Sequence, residues 1–192
     1  MSVSKFISCG KCLLLAAGIA ISGGLVLIYS GLYPMGADVP HNSMTYWALE
    51  TLRERSIARA ASDIVIPDNL NLPDRLLKGG ADYNDMCVGC HLKPGMKQSD
   101  FTLGLYPSPP RLTMDEHEHG YGGQDGGQYT LQRQFWIIKH GIKASGMPAW
   151  GAGHDDERIW NMVAFLRRLP ELSPAQYQIL TARGENSAEH GH

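Results

Sequence analysis

The chain has 192 residues, a formal net charge of −2, 22 glycines and 11 prolines. That length points to one ordinary domain with additions rather than two full domains, and the near-neutral charge gives no reason to expect nucleic acid as a partner. The glycine and proline content implies long irregular connections, which leave a small chain with little apolar core of its own.

Residues Met1 to Cys12 carry Lys5 and Lys11 and no acidic side chain, and Leu13 to Tyr33 is an uncharged, mostly apolar run. About 20 helical residues at roughly 1.5 Å each cross the ~30 Å hydrocarbon core of a bilayer, so this run is long enough to span one. The flanking lysines keep the N-terminus cytoplasmic by the positive-inside rule, which places everything after Tyr33 on the periplasmic side, with Tyr29 and Tyr33 as interfacial aromatics. The competing reading is a cleaved signal peptide. Its apolar core would be unusually long, and Met35 would occupy the outer small-residue position before Ala37, so an uncleaved anchor is favoured. Gly18 with Ser22 and Ala20 with Gly24 give small-residue spacings that suit packing against another membrane helix, although such pairs are frequent by chance. Cys9 and Cys12 form a C-x-x-C with no following His on the reducing side of the membrane, and read as unpaired thiols.

Ser43 to Ala61 reads as a helix, with Tyr46, Leu49, Leu52 and Ile57 at near-helical spacing, Arg53, Glu54 and Arg55 between them, and Ser43 as candidate cap. It is read as a rigid or partner-binding spacer between the membrane and the domain that follows, the alternative being an appendage packed on that domain. Asp68 to Asp74, with Pro73, is a turn-rich link. Asp74 to Cys90 reads as one helix with Asp74 as N-cap and Leu76, Leu77, Gly80, Tyr83 and Met86 in helical register. Glycine inside a helix costs about 1 kcal/mol relative to alanine. Gly79 and Gly80 therefore call for a close helix crossing.

That helix runs into Cys87-Val88-Gly89-Cys90-His91. Two thiols at this spacing followed directly by histidine are the pattern that attaches haem covalently: the thiols bond to the two vinyl groups and the imidazole of His91 lies under the iron as proximal ligand. A redox dithiol of the thioredoxin type would follow a strand, and nothing strand-like precedes Cys87. A zinc site would need a second ligand pair, and Cys9 and Cys12 lie across the membrane.

Further on, prolines in Tyr106-Pro-Ser-Pro-Pro-Arg-Leu-Thr113 exclude a helix and impose an extended backbone. Thr113 to Tyr129 is acidic, glycine-rich and histidine-containing, a flexible insertion in which His117 and His119 are a weak metal candidate. Phe135 to Gly141 reads as a short helix closed by a glycine cap, leading into a loop in which Met147 is held between Gly146 and Pro148. Asp156 to Leu169 is strongly periodic, through Ile159, Trp160, Met162, Val163, Phe165 and Leu166, with Asp155 as N-cap, acids in the first turn and Arg167 and Arg168 before Pro170. After Ser173 a short helix starts at Pro174, and Glu185 to His192 is expected to be disordered.

A helix ending in C-x-x-C-H, a methionine far downstream and a terminal helix containing V-A-F-L resemble the class I cytochrome c family over about Asp74 to Pro170. The resemblance implies an all-α fold, a small helical bundle around one covalently bound haem c, here preceded by a transmembrane helix and a helical spacer. It implies that Gly79, or alternatively Gly80, and Tyr83 cross the last helix near Phe165. It implies that a proline carbonyl accepts a hydrogen bond from His91, a role that Pro110, followed by Leu112, resembles and for which Pro109 is an equal candidate. It also implies Met147 as sixth ligand, since its loop is similar to the distal-ligand segment of that family. Met96 is too close to His91 to reach the opposite haem face, Met162 sits at a core-like helix position, Met114 has charged, solvated neighbours, and His140 lies just before the glycine cap.

The organisation expected is residues 1–36 as cytoplasmic N-terminus and anchor, 37–73 as periplasmic spacer, 74–172 as haem domain and 173–192 as tail. With histidine and methionine filling both axial positions there is no open site for a substrate, and the thioether raises the reduction potential relative to two histidines. The function expected is a membrane-anchored electron carrier rather than an enzyme, exchanging single electrons between redox proteins of the membrane or periplasm. Rival readings are a cytochrome subunit of a larger dehydrogenase or terminal oxidase, a ligand-binding haem protein, and a redox sensor, for which the short N-terminus offers no output domain.

Overall fold

A computed structural model describes residues 3–113 and 128–182, so His117, His119 and Met114 of the insertion and the tail from Glu185 lie outside the described residues. Among the described residues there is no strand, and the chain divides into two compact units, Met1–Val39 and Pro40–His192. The first unit holds helix α1, Val3–Ser30, whose stretch Gly10–Ser30 has a mean hydropathy of 2.3 and is long and apolar enough to cross a membrane. None of that stretch is buried, as an element solvated by lipid would require. The helix stops at Gly31, whose φ of +66° no helical residue adopts.

The second unit is built from α2 (Ser43–Ala61), α3 (Pro73–Met86), α4 (Val88–His91), α5 (Asp100–Gly104), α6 (Gln128–His140), α7 (Asp156–Leu166) and α8 (Pro174–Thr181). Its centre is the crossing of α3 over α7. A Cβ on Gly79 would lie 1.9 Å from the carbonyl oxygen of Asn161, so the two backbones touch where the first glycine of the pair stands. Gly80 meets a different neighbour: a Cβ there would come within 2.6 Å of the carbonyl oxygen of Leu180 on α8 and 3.0 Å of the Phe165 ring. Each glycine thus admits one partner helix. One turn on, Tyr83 packs on Phe165 with ring centroids 5.4 Å apart, and both are fully buried beside Ile159, Met162, Val163 and Leu169.

Polar side chains fix the register of this crossing. Asp82 accepts two hydrogen bonds from the guanidinium of Arg158, each 2.8 Å, and Arg75 donates to Asn161 at 2.7 Å and to Asn69 at 2.9 Å. The forked Arg–carboxylate geometry holds orientation as well as charge, which two smooth helix faces alone would not specify.

Helix α2 packs on the rest of its unit. Ile57 and Ala61 are buried, Gln132 of α6 donates to the carbonyl of Ile64 at 2.6 Å, and Arg133 of α6 pairs with Glu54. Several helix ends differ from the sequence expectation. The cap of α2 is Asn42, whose side chain accepts from the Thr45 amide at 2.9 Å, rather than Ser43. Asp74 does not cap α3: Leu72 occupies the cap position with Pro73 at the first turn, where a missing N–H costs nothing, and Asp74 pairs instead with Lys78. The helix expected to run unbroken to Cys90 bends at Cys87, where φ is −113°, before α4 resumes. Helix α6 starts seven residues before Phe135, and α7 ends at Leu166 with a separate 3-10 turn over Leu169–Glu171. Asp155 does cap α7, accepting from the Arg158 amide at 2.8 Å.

Candidate functional site

The C-x-x-C-H turn is positioned from three sides. The Cys87 amide still bonds to the Tyr83 carbonyl at 2.9 Å, so the motif is rigidly continuous with α3. The His91 amide bonds to the Cys87 carbonyl at 2.8 Å, which brings the two thiols and the imidazole onto a single turn. Beyond it Leu92, fully buried, takes a φ of +66°, a conformation that strains a branched residue by about 1–3 kcal/mol. The Tyr83 hydroxyl donates to the Leu92 carbonyl at 2.6 Å and holds that turn closed. Ser99 at the start of α5 donates to the Gly89 carbonyl from outside, at 2.5 Å.

The turn opens into a cavity of about 250 Å³. Cys87, Cys90, His91, Pro110, Leu112 and Met147, drawn from three separated stretches of the chain, all line it. Pro109 lines it as well, but the Nδ1–H of His91 donates to the carbonyl of Pro110, at 2.9 Å. A carbonyl can only accept, so this contact fixes the proton on Nδ1 and leaves Nε2 as the lone-pair nitrogen. Burial pushes the imidazole toward its neutral form, a tendency that the bond to Pro110 partly offsets. Burial also pushes the Cys87 thiol up to about 12, with the charges of Asp82 and Cys90 adding to it. Cys90 moves in the same direction for the same first reason. Both shifts favour the neutral thiol over the activated thiolate of a redox dithiol.

Opposite elements shape the Met147 loop. Gly141 ends α6 with a φ of +65°, and a Cβ there would lie 2.7 Å from the carbonyl oxygen of Met147 and from the backbone of Pro148. The loop consequently folds flat over the helix end. The Ile142 amide bonds to the Met147 carbonyl at 3.1 Å, and the Ser145 hydroxyl accepts from the Met147 amide at 3.1 Å. The only other methionine on the cavity wall among the described residues is Met86, which adjoins Cys87 on the turn itself. Met162 is buried in the core, while Met96 and His140 do not line the cavity. Ile137, Ile138, Leu105, Leu166 and Trp150 complete apolar walls.

Sequence reasoning missed Met86, Arg53 and Arg133 as wall residues. Arg53 stands on a helix read as a spacer, and only the long-range contact of α2 with α6 brings it there. Among the described residues no group of three or more His, Cys, Asp or Glu side chains is arranged to hold a metal ion.

The donor set fits a covalently held haem: two thiols at C-x-x-C spacing, an imidazole with its Nε2 lone pair available, and apolar walls that close around them. Residues 74–166 match the family model described as cytochrome c oxidase, cbb3-type, subunit III, which covers a little under half of the chain. No curated protein and no solved structure matches the chain. With its all-helical fold, its glycine-mediated helix crossing and this match, the segment 74–166 is a class I c-type cytochrome domain, a carrier of electrons on covalently bound haem c.

Proposed function

We propose that Cys87 and Cys90 hold one haem through two thioether bonds, that His91 Nε2 and the Met147 thioether are its axial ligands, and that the protein is a membrane-anchored carrier of single electrons. When bound, the haem supplies a reversible one-electron change between Fe(III) and Fe(II). His91 is oriented for its task by Pro110, which fixes the tautomer and increases the donor strength of Nε2. Met147 sits in a loop whose backbone is tied at its amide and at its carbonyl, which would present the thioether from a fixed position. The bond from His91 to Pro110 is the observation that carries this reading, because it takes up Nδ1 and leaves Nε2 as the free donor of an imidazole that lines the apolar cavity.

The anchor is α1, and the lysine-bearing N-terminus puts the haem domain on the periplasmic side. The family description favours one partner class among those open to a membrane cytochrome: a terminal oxidase or comparable membrane complex, to which this chain would deliver electrons as a subunit or close associate. Two experiments test the reading. Haem staining after denaturing electrophoresis should show a covalent band in the wild type and a much weaker or absent one in Cys87→Ala; equal staining would rule out attachment there. Purification of the full chain in mild detergent should bring down a redox complex, and a cytochrome that is always isolated alone would favour a free relay.

A further inference from the structure

Helix α2 precedes the segment that matches the family model, yet it supplies part of the cavity wall. Its Arg53 and Arg133 of α6 line the cavity with side chains only 20% and 19% exposed, whereas Arg111, the remaining cationic side chain of the wall, is exposed. The two half-buried guanidiniums are joined through one carboxylate. Arg133 Nη2 donates to both oxygens of Glu54, at 2.9 and 3.1 Å, and Arg53 Nε donates to Glu54 Oε1 at 3.0 Å. Arg53 Nη2 also pairs with Glu50. Two cations side by side on the wall of an apolar cavity need anionic neighbours, and Glu50 and Glu54 of α2 are two of them.

Haem itself carries two carboxylates. Its propionates lie on the porphyrin edge away from the vinyl groups, so thioethers at Cys87 and Cys90 turn the propionate edge toward walls other than the C-x-x-C-H turn. Buried carboxylates need partners, and a guanidinium, with five N–H donors in a planar fork, serves a glutamate and a second carboxylate together. We propose that Arg53 of α2 and Arg133 of α6 form a guanidinium seat for the haem propionates, which makes the helix before the family-matched domain a working part of the haem site. This rests on the haem reading above and adds to it a charge-bearing residue from outside the matched segment. Glu54 sets the spacing of the two guanidiniums, and α2 is thereby fastened to the cofactor as well as to α6.

The test uses the full chain in detergent, with Arg53→Gln, Arg53→Lys, Arg133→Gln and Glu54→Gln. The readouts are the resonance Raman bands of the propionates and the midpoint potential. The seat requires that Arg53→Gln and Arg133→Gln each shift the propionate bands and lower the potential, since losing a nearby positive charge favours Fe(III). Arg53→Lys should keep the potential closer to the wild type but still shift the bands, because the charge remains and the fork is lost. Glu54→Gln should move the potential upward. If the arginines only brace α2 against α6, the Arg53 and Glu54 variants lose thermal stability alike while the propionate bands stay put, and the proposal is overturned. Should Arg53→Gln fail to fold, the lysine variant and Arg133→Gln decide the matter. A wild type without covalent haem would sink the haem reading itself, whereas a haem-loaded wild type with unresponsive bands sinks only the seat.

Discussion

His91 and Pro110, nineteen positions apart, are joined by a hydrogen bond from the imidazole Nδ1–H to the proline carbonyl, 2.9 Å long. The acceptor is backbone, so the contact depends on how the stretch from Pro107 to Pro110 holds its path. Pro110→Ala should loosen that path without removing the carbonyl. A hydrogen bond of this kind contributes about 0.5–1.5 kcal/mol. Weakening it makes His91 a poorer donor and favours Fe(II). With about 59 mV per tenfold change for one electron, the midpoint potential should rise by on the order of 20–60 mV. A redox titration showing no change, or a fall, would detach Pro110 from the role.

Met147 is tied down on both sides of its side chain, by the Ile142 amide on its carbonyl and by the Ser145 hydroxyl at its amide. Met147→Ala should remove the weak red absorbance that reports iron–methionine bonding in the ferric protein and open the reduced iron to carbon monoxide, with covalent haem retained. Met147→His should keep six-coordination but lower the potential, since the soft thioether that favours Fe(II) is lost. Persistence of the red band in the alanine variant would assign the ligand elsewhere.

The parts that followed from local pattern were legible beforehand. The span of α2, the Asp155 cap of α7 and the need for a helix crossing at Gly79 all rest on periodicity, capping chemistry and the cost of glycine in a helix. The C-x-x-C-H motif likewise announces its own chemistry. Other features depend on where distant segments meet. Pro109 and Pro110 are indistinguishable in sequence, because the choice between them turns on one backbone carbonyl. Helix α5 is five residues long, too short for a period, and is set by the reciprocal cap between Ser99 and Thr102. Arg53 reaches the cavity only because α2 lies on α6, and the Asp82–Arg158 pair joins residues 76 positions apart.

Gly79 is where α3 and α7 approach most closely, since a Cβ would stand 1.9 Å from the Asn161 carbonyl oxygen and 2.9 Å from the Met162 amide nitrogen. Alanine is worth about 1 kcal/mol more than glycine to an isolated helix, but here it forces two backbones apart. Overpacking costs about 1–3 kcal/mol or more, and the displaced crossing would carry Tyr83 and Phe165 with it. Gly79→Ala should therefore lower the melting temperature by about 5 °C or more, at roughly 2–4 °C per kcal/mol for a chain of this size. A stabilised variant by thermal unfolding would show that the helices can separate freely.

Tyr83 ties stability to alkaline pH through a single buried hydroxyl. Burial is the main reason its pKa stands well above the ordinary value of 10.0, with the charges of Cys87 and Tyr177 adding to the shift; once Cys87 is a thioether, burial and Tyr177 remain. A raised pKa means that the folded protein keeps a proton that the unfolded chain gives up near pH 10. The stability gained is therefore fully present below about pH 10 and declines as pH climbs from there toward the folded value. Tyr83→Phe removes the bond to the Leu92 carbonyl, so at pH 7 it should cost about 1–3 kcal/mol, the penalty for a buried acceptor without its donor. Above pH 10 the wild type loses stability that the variant no longer has to lose, and the two unfolding curves should converge. Tyr177, raised in the same direction and first by burial, keeps some alkaline slope in both proteins. Denaturant titrations at pH 7, 10 and 11 measure the gap directly: a constant difference across that range would mean that the Tyr83 proton is not held by the fold.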